Sequence, residues 1–156
     1  MRRGVRGPTS PEMDLPLLLR IVHLVSMALW LGAALWAPGD ARRSIAAGQT
    51  VGLRRRLVPA LRLSVWAGVA TLLSGLALML VIGAHRIGVG VGFALTIVLL
   101  VLEMTIMLPA AKRVADAAEA GADLAEAGGM TRRLAAMAGV AHLIWLAALV
   151  SMVLPY

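Results

Sequence analysis

The chain has 156 residues, of which 60% are hydrophobic and 15% charged, with no cysteine and a formal charge of +7; its mean hydropathy is +0.87. Soluble domains are about half apolar, so this is the composition of a membrane protein, and the basic residues sit between apolar runs rather than among aromatics on a polar surface, which argues against nucleic acid as a partner. Disulfides, thiolate metal sites and cysteine nucleophiles are excluded, so any metal must take His, Met, carboxylate or backbone ligands.

A span needs about 20 mostly apolar residues at 1.5 Å rise each. Four stretches qualify, at 15–37, 57–82, 87–110 and 134–154. The expected fold is therefore all-α: a polytopic membrane protein, one membrane domain over 1–156, with four transmembrane helices in an up-down bundle of two hairpins that meets the lipid bilayer on all sides. The first apolar run exceeds the roughly 7–15 residues of a signal-peptide core, so it is expected to stay as an anchor.

Basic residues set the direction, because short loops rich in Lys and Arg stay cytoplasmic. Connection 38–56 carries Arg42, Arg43, Arg54, Arg55 and Arg56, and connection 111–133 carries Lys112, Arg113, Arg132 and Arg133, against Arg2, Arg3, Arg6 and Arg86 on the other side. That balance predicts an inner-membrane protein with both termini outside. Arg20 and Arg62 fall within span ends, where long side chains snorkel to the headgroups.

Within the first connection, PGDARRSIAAG reads as a short helix with Asp40 as N-cap and Gly48 as stop. In the second, Asp116, Glu119, Asp123 and Glu126 step by three, four and three along one helical face. They form either a solvated stripe or one that docks against the arginines of the first connection. The outer turn GAHRIGVGVG lacks the strand and the Lys-Ser/Thr of a phosphate loop; Gly88 and Gly92 read instead as a small-xxx-small contact between helices. His85 lies in that turn, as an exposed loop residue or the cap of a site opening outward. Pro109 and Pro155 read as span terminators.

Ionisable residues inside spans are costly and face the bundle interior. Here they are Arg20, His23, Glu103 and His142. Arg20, His23, Met27 and Trp30 fall on one face of span 1, and His142, Trp145, Leu149 and Met152 repeat that face on span 4. Packing and interhelical hydrogen bonding are the plainer explanation of such stripes. Counted from the span midpoints, His23 lies about 5 Å outward, while His142 and Glu103 lie about 4 and 6 Å inward. Glu103 and His142 are thus a possible polar pair, leaving His23 to Met27 and to Met79 or Met152. The alternative is a haem with His23 and His142 as axial ligands.

No nucleophile-base-acid arrangement, GxSxG or HExxH is present. For copper, His23 with Met27 at i, i+4, or with His142, offers imidazole and thioether donors suited to Cu(I). For haem b, histidine in a four-helix core backed by Trp30 and small residues fits equally, and Arg20, one turn outward of His23, is placed for a propionate. Oxidoreductase chemistry would come from the cofactor.

HLVSMALWLGAALWAPGDARR in span 1, followed by RRRLVPALRLSVWAGVATLLSGLALML in span 2, resembles the group of small membrane proteins that includes the copper-resistance protein D family and the HemJ-type protoporphyrinogen oxidases. The matching positions are His23, Trp30 and Gly32, then Ser74, Gly75 and Leu76, and they cover the first half of the chain. The resemblance implies a four-helix bundle whose first-span histidine binds haem or copper. It also implies, for the HemJ type, a third-span lysine; here the sole lysine, Lys112, lies beyond that span, a departure from the oxidase pattern. The leading expectation is a haem b or copper protein with a redox or copper-handling role. The alternative is a non-catalytic accessory or assembly subunit, in a homo-oligomer or a larger membrane complex.

Overall fold

The computed structural model describes residues 14–83, 86–121 and 124–154; the expectations for His85, Asp123, Pro155 and the N-terminal arginines lie outside these. Among the described residues five α-helices follow in chain order: α1 Leu15–Ala46, α2 Leu53–Ile82, α3 Ile87–Leu102, α4 Leu108–Glu119 and α5 Leu124–Val153, with one π-helical turn, Glu103–Met107, joining α3 to α4. Among the described residues there is no strand. Four rods result, taking α3, the π turn and α4 as one, and each is long and apolar enough to cross a membrane. The chain is a multi-pass, all-helical membrane protein, with α1 and α2 as one hairpin and the α3–α4 rod with α5 as the other.

The helices run well past the apolar spans. What sequence assigned to the connections 38–56 and 111–133 is, among the described residues, mostly helix, with turn residues at 47–52 and at 120–121. Pro38 and Pro59 lie inside α1 and α2, although an interior proline costs about 3 kcal/mol. The compensation is a core beside the 47–52 turn, where Ala37, Ala41 and Ile45 pack on Leu53, Leu57 and Leu61. Asp40 is consequently not an N-cap but an interior residue of α1, whose carboxylate accepts from Arg56 Nε at 3.3 Å. Gly48 does stop the helix, at φ +67°, a conformation that side chains with a Cβ resist.

Pro109 does not terminate the third rod. The π turn immediately before it widens the helix where proline lacks a donor and its ring crowds the preceding carbonyl, so the rod continues as α4 with proline in its first turn. The acidic stripe on α4 does dock on the first hairpin: Asp116 pairs with Arg54 at 3.0 Å, and Glu119 accepts from the Arg54 backbone N–H at 2.9 Å. That second contact supplies α2 with a cap from a different helix, satisfying one of its free N–H groups.

Towards the opposite end of the bundle the packing relies on small residues. A Cβ built on Gly92 would lie 2.5 Å from Met152 Cγ and 2.9 Å from the Ala148 carbonyl, so glycine is what lets α3 and α5 approach. Large apolar side chains such as Leu73, Leu80 and Leu143 face outward, as expected where lipid replaces water.

Candidate functional site

His23 sits on α1 facing α2, where Thr71 and Ser74 are one turn apart. Its Nδ1 lies 3.0 Å from the Thr71 carbonyl oxygen and 3.1 Å from the Ser74 hydroxyl oxygen. A carbonyl only accepts, so Nδ1 carries the proton and, in the neutral ring, Nε2 keeps its lone pair. Pinning one imidazole nitrogen to a backbone carbonyl is how ligating histidines are oriented. Gly75 makes the space: a Cβ there would lie 3.1 Å from His23 Cε1. Thr71 is itself held, its hydroxyl bonding to the Ala67 carbonyl at 2.8 Å and to Ser26 Oγ at 3.0 Å.

His23 lines a cavity of about 190 Å³ to which all four spans contribute. Met27 and Trp30 come from α1, Met79 from α2, Phe93 from α3, and Trp145 and Met152 from α5. Leu149 lines it too, so most of the fourth-span stripe faces the same space as the first-span stripe. His142 does not. It borders a second, much smaller pocket with Glu103, Ala34 and Leu31, and Trp30, Leu99 and Trp145 form a wall common to the two. Arg20, one turn before His23 on α1, is exposed and lines neither space.

Glu103 is 2% exposed. Its carboxylate accepts the Trp30 indole N–H at 2.9 Å to each oxygen and the Ser64 hydroxyl at 3.2 and 3.3 Å. The direct Glu103–His142 pair expected from matching depth is therefore not formed. Glu103 occupies the first position of the π turn, where its donors come from α1 and α2, and the His142 Nδ1–H is used by the Ala138 carbonyl one turn back on its own helix. His142 Nε2 is buried without a partner.

Among the described residues no three His, Asp or Glu side chains converge, so a hard-cation site of oxygen ligands is not built here. The donors that do surround one space are an imidazole and the methionines Met27, Met79 and Met152, a soft set that fits Cu(I). A haem finds the freed Nε2 and the aromatic lining, but His23 and His142 border different spaces. Nor is the cavity much larger than the ~150 Å³ that holds a single benzene, so a macrocycle on His23 would extend beyond it. Sequence reasoning missed Ser64 and Thr71. The signal was available: Ser64, Thr71 and Ser74 are spaced by seven and three, one face of α2. Compared with protein-family models, with curated proteins and with solved structures, the chain finds no match in any of the three.

Proposed function

We propose that this is a protein of the cell inner membrane, with both termini outside, that binds copper(I) at the His23 cavity and serves in copper handling. The observation that carries the reading is an imidazole whose Nδ1–H is tied to the Thr71 carbonyl while Met27, Met79 and Met152 line the space beside it. Imidazole and thioether donors hold Cu(I) without needing a negative ligand in the bilayer. Thr71 and Ser74 orient the ring, Gly75 keeps it unobstructed, and the apolar walls exclude water from a bound ion.

Haem b on a single axial ligand, His23, is the second reading, favoured by Trp30, Phe93 and Trp145 in the lining. When bound, haem would supply one-electron chemistry. The deciding experiment is anaerobic purification with reduced copper, followed by elemental analysis and a visible spectrum. About one copper per chain, with affinity falling tenfold or more in His23→Ala and Met152→Leu, supports the first reading. A haem spectrum lost in His23→Ala replaces it with the second. A colourless, metal-free protein after reconstitution overturns both and leaves an accessory subunit.

A further inference from the structure

The small pocket beside Glu103 measures about 10 Å³, close to the ~10–15 Å³ that one buried water requires. A void of that size stays dry among apolar walls and fills when polar groups need it. Two polar groups border this one. Glu103 offers carboxylate lone pairs beyond those used by Trp30 and Ser64, and His142 brings an Nε2 that is buried without a partner. Leaving such a nitrogen unmet costs about 1–3 kcal/mol.

We propose that this pocket holds one water bridging the Glu103 carboxylate to His142 Nε2, and that the two groups together hold a single exchangeable proton inside the membrane. With the proton on Glu103, the carboxyl O–H donates to the water and the water donates to His142 Nε2. With the proton on His142, Nε2–H donates to the water and the water donates to the Glu103 carboxylate. The same water serves both arrangements, so the proton passes between the two groups without either moving. The Nδ1–H bond to Ala138 is kept throughout, and Trp30 and Ser64 continue to donate to the carboxylate.

The surroundings isolate the pair. From α1 the pocket receives Trp30, Leu31 and Ala34, and from α5, besides His142, only Ala141 and Trp145; α2 presents the Ser64 hydroxyl to Glu103. None of these titrates. His23 lines the larger cavity across the Trp30 wall, and Arg62 on α2 is exposed. The π turn at Glu103 fits this use, since such turns are frequent at functional sites. The proposal is independent of what the larger cavity binds.

The test uses the full chain in lipid nanodiscs. Infrared spectra across pH follow the Glu103 carboxyl band, assigned through Glu103→Gln, and 15N spectra of labelled histidine follow His142, assigned through His142→Gln. Because coupling is reciprocal, Glu103→Gln is expected to move the half-titration of His142 by at least about tenfold in proton concentration, and His142→Gln to move that of Glu103 equally. A water band shifted by exchange into H2 18O and lost in either variant completes the result. Titrations that stay within about twofold overturn the shared proton, and coupling without the water band overturns the bridge. Either variant alone decides the question if the other fails to fold.

Discussion

The Trp30 indole N–H and the Glu103 carboxylate meet in the bundle interior, at 2.9 Å to each oxygen, joining the first span to the third. The residues are 73 positions apart in the chain. A carboxylate at 2% exposure in a lipid-facing bundle persists only if its lone pairs are met.

Trp30→Phe removes that donor while keeping an aromatic ring. A hydrogen bond to a charged group contributes about 1.5–3 kcal/mol, and the variant is expected to lose stability in that range by denaturant unfolding in micelles. Glu103→Gln, which keeps an acceptor, is expected to lose less. A double-mutant cycle with a coupling below about 0.5 kcal/mol would show that the bond contributes little.

Gly75→Ala places a methyl 3.1 Å from His23 Cε1. The ring must shift away from Thr71, so Cu(I) affinity is expected to fall by about tenfold, the usual effect of disturbing a residue that orients a ligand, with little change in stability. Gly139→Ala is the control, because nothing lies within 4 Å of its added Cβ. Chelator competition measures both, and equal affinities would remove Gly75 from the site.

Gly92→Ala acts on packing instead. Its Cβ would meet the Ala148 backbone carbonyl at 2.9 Å as well as Met152, and backbone does not yield as a side chain does. Overpacking of this kind costs about 1–3 kcal/mol, read as a lower melting temperature in detergent.

At the start of α2, Glu119→Ala is expected to cost about 0.5–2 kcal/mol, the range for losing a helix cap, because it frees the Arg54 N–H. Asp116→Ala removes only an ion pair whose side chains are 58% and 52% exposed, for which about 0–1 kcal/mol is the expectation. Salt should weaken the second effect more than the first. Unfolding curves at low and high salt separate them.

Orientation is open to a direct test, since the chain has no cysteine and any introduced one is unique. Gln49→Cys and Ala120→Cys, in the two inner turns, are expected to resist a membrane-impermeant thiol reagent in spheroplasts, and Arg86→Cys, at the outer turn, to react. The reverse labelling pattern would invert the proposed topology.

Much of the architecture was legible in the chain. Apolar runs of about 20 residues require membrane helices because lipid offers no partner for free backbone groups. The stop at Gly48 and the close approach at Gly92 also followed from local pattern, whereas for the acidic stripe the pattern left a solvated face and a docked one open, and Asp116 and Glu119 dock. One proline misled. Pro109 reads as a terminator and is absorbed by the π turn, as Pro38 and Pro59 are held within α1 and α2 by packing, and neither is written in a local window.

Periodicity likewise placed Arg20, His23, Met27 and Trp30 on one face, and His142, Trp145, Leu149 and Met152 on another, although Arg20 and His142 do not line the shared cavity. It left undecided which groups those faces would meet, because a partner across two helices depends on their relative rotation and depth. Packing at Gly75 and Gly92 and the extra residue of the π turn set those quantities. They gave Glu103 to Trp30 and Ser64 rather than to His142, and turned His23 towards Thr71 beside three methionines drawn from three helices. Hydropathy is a property of each segment alone, whereas the site belongs to the contacts between segments.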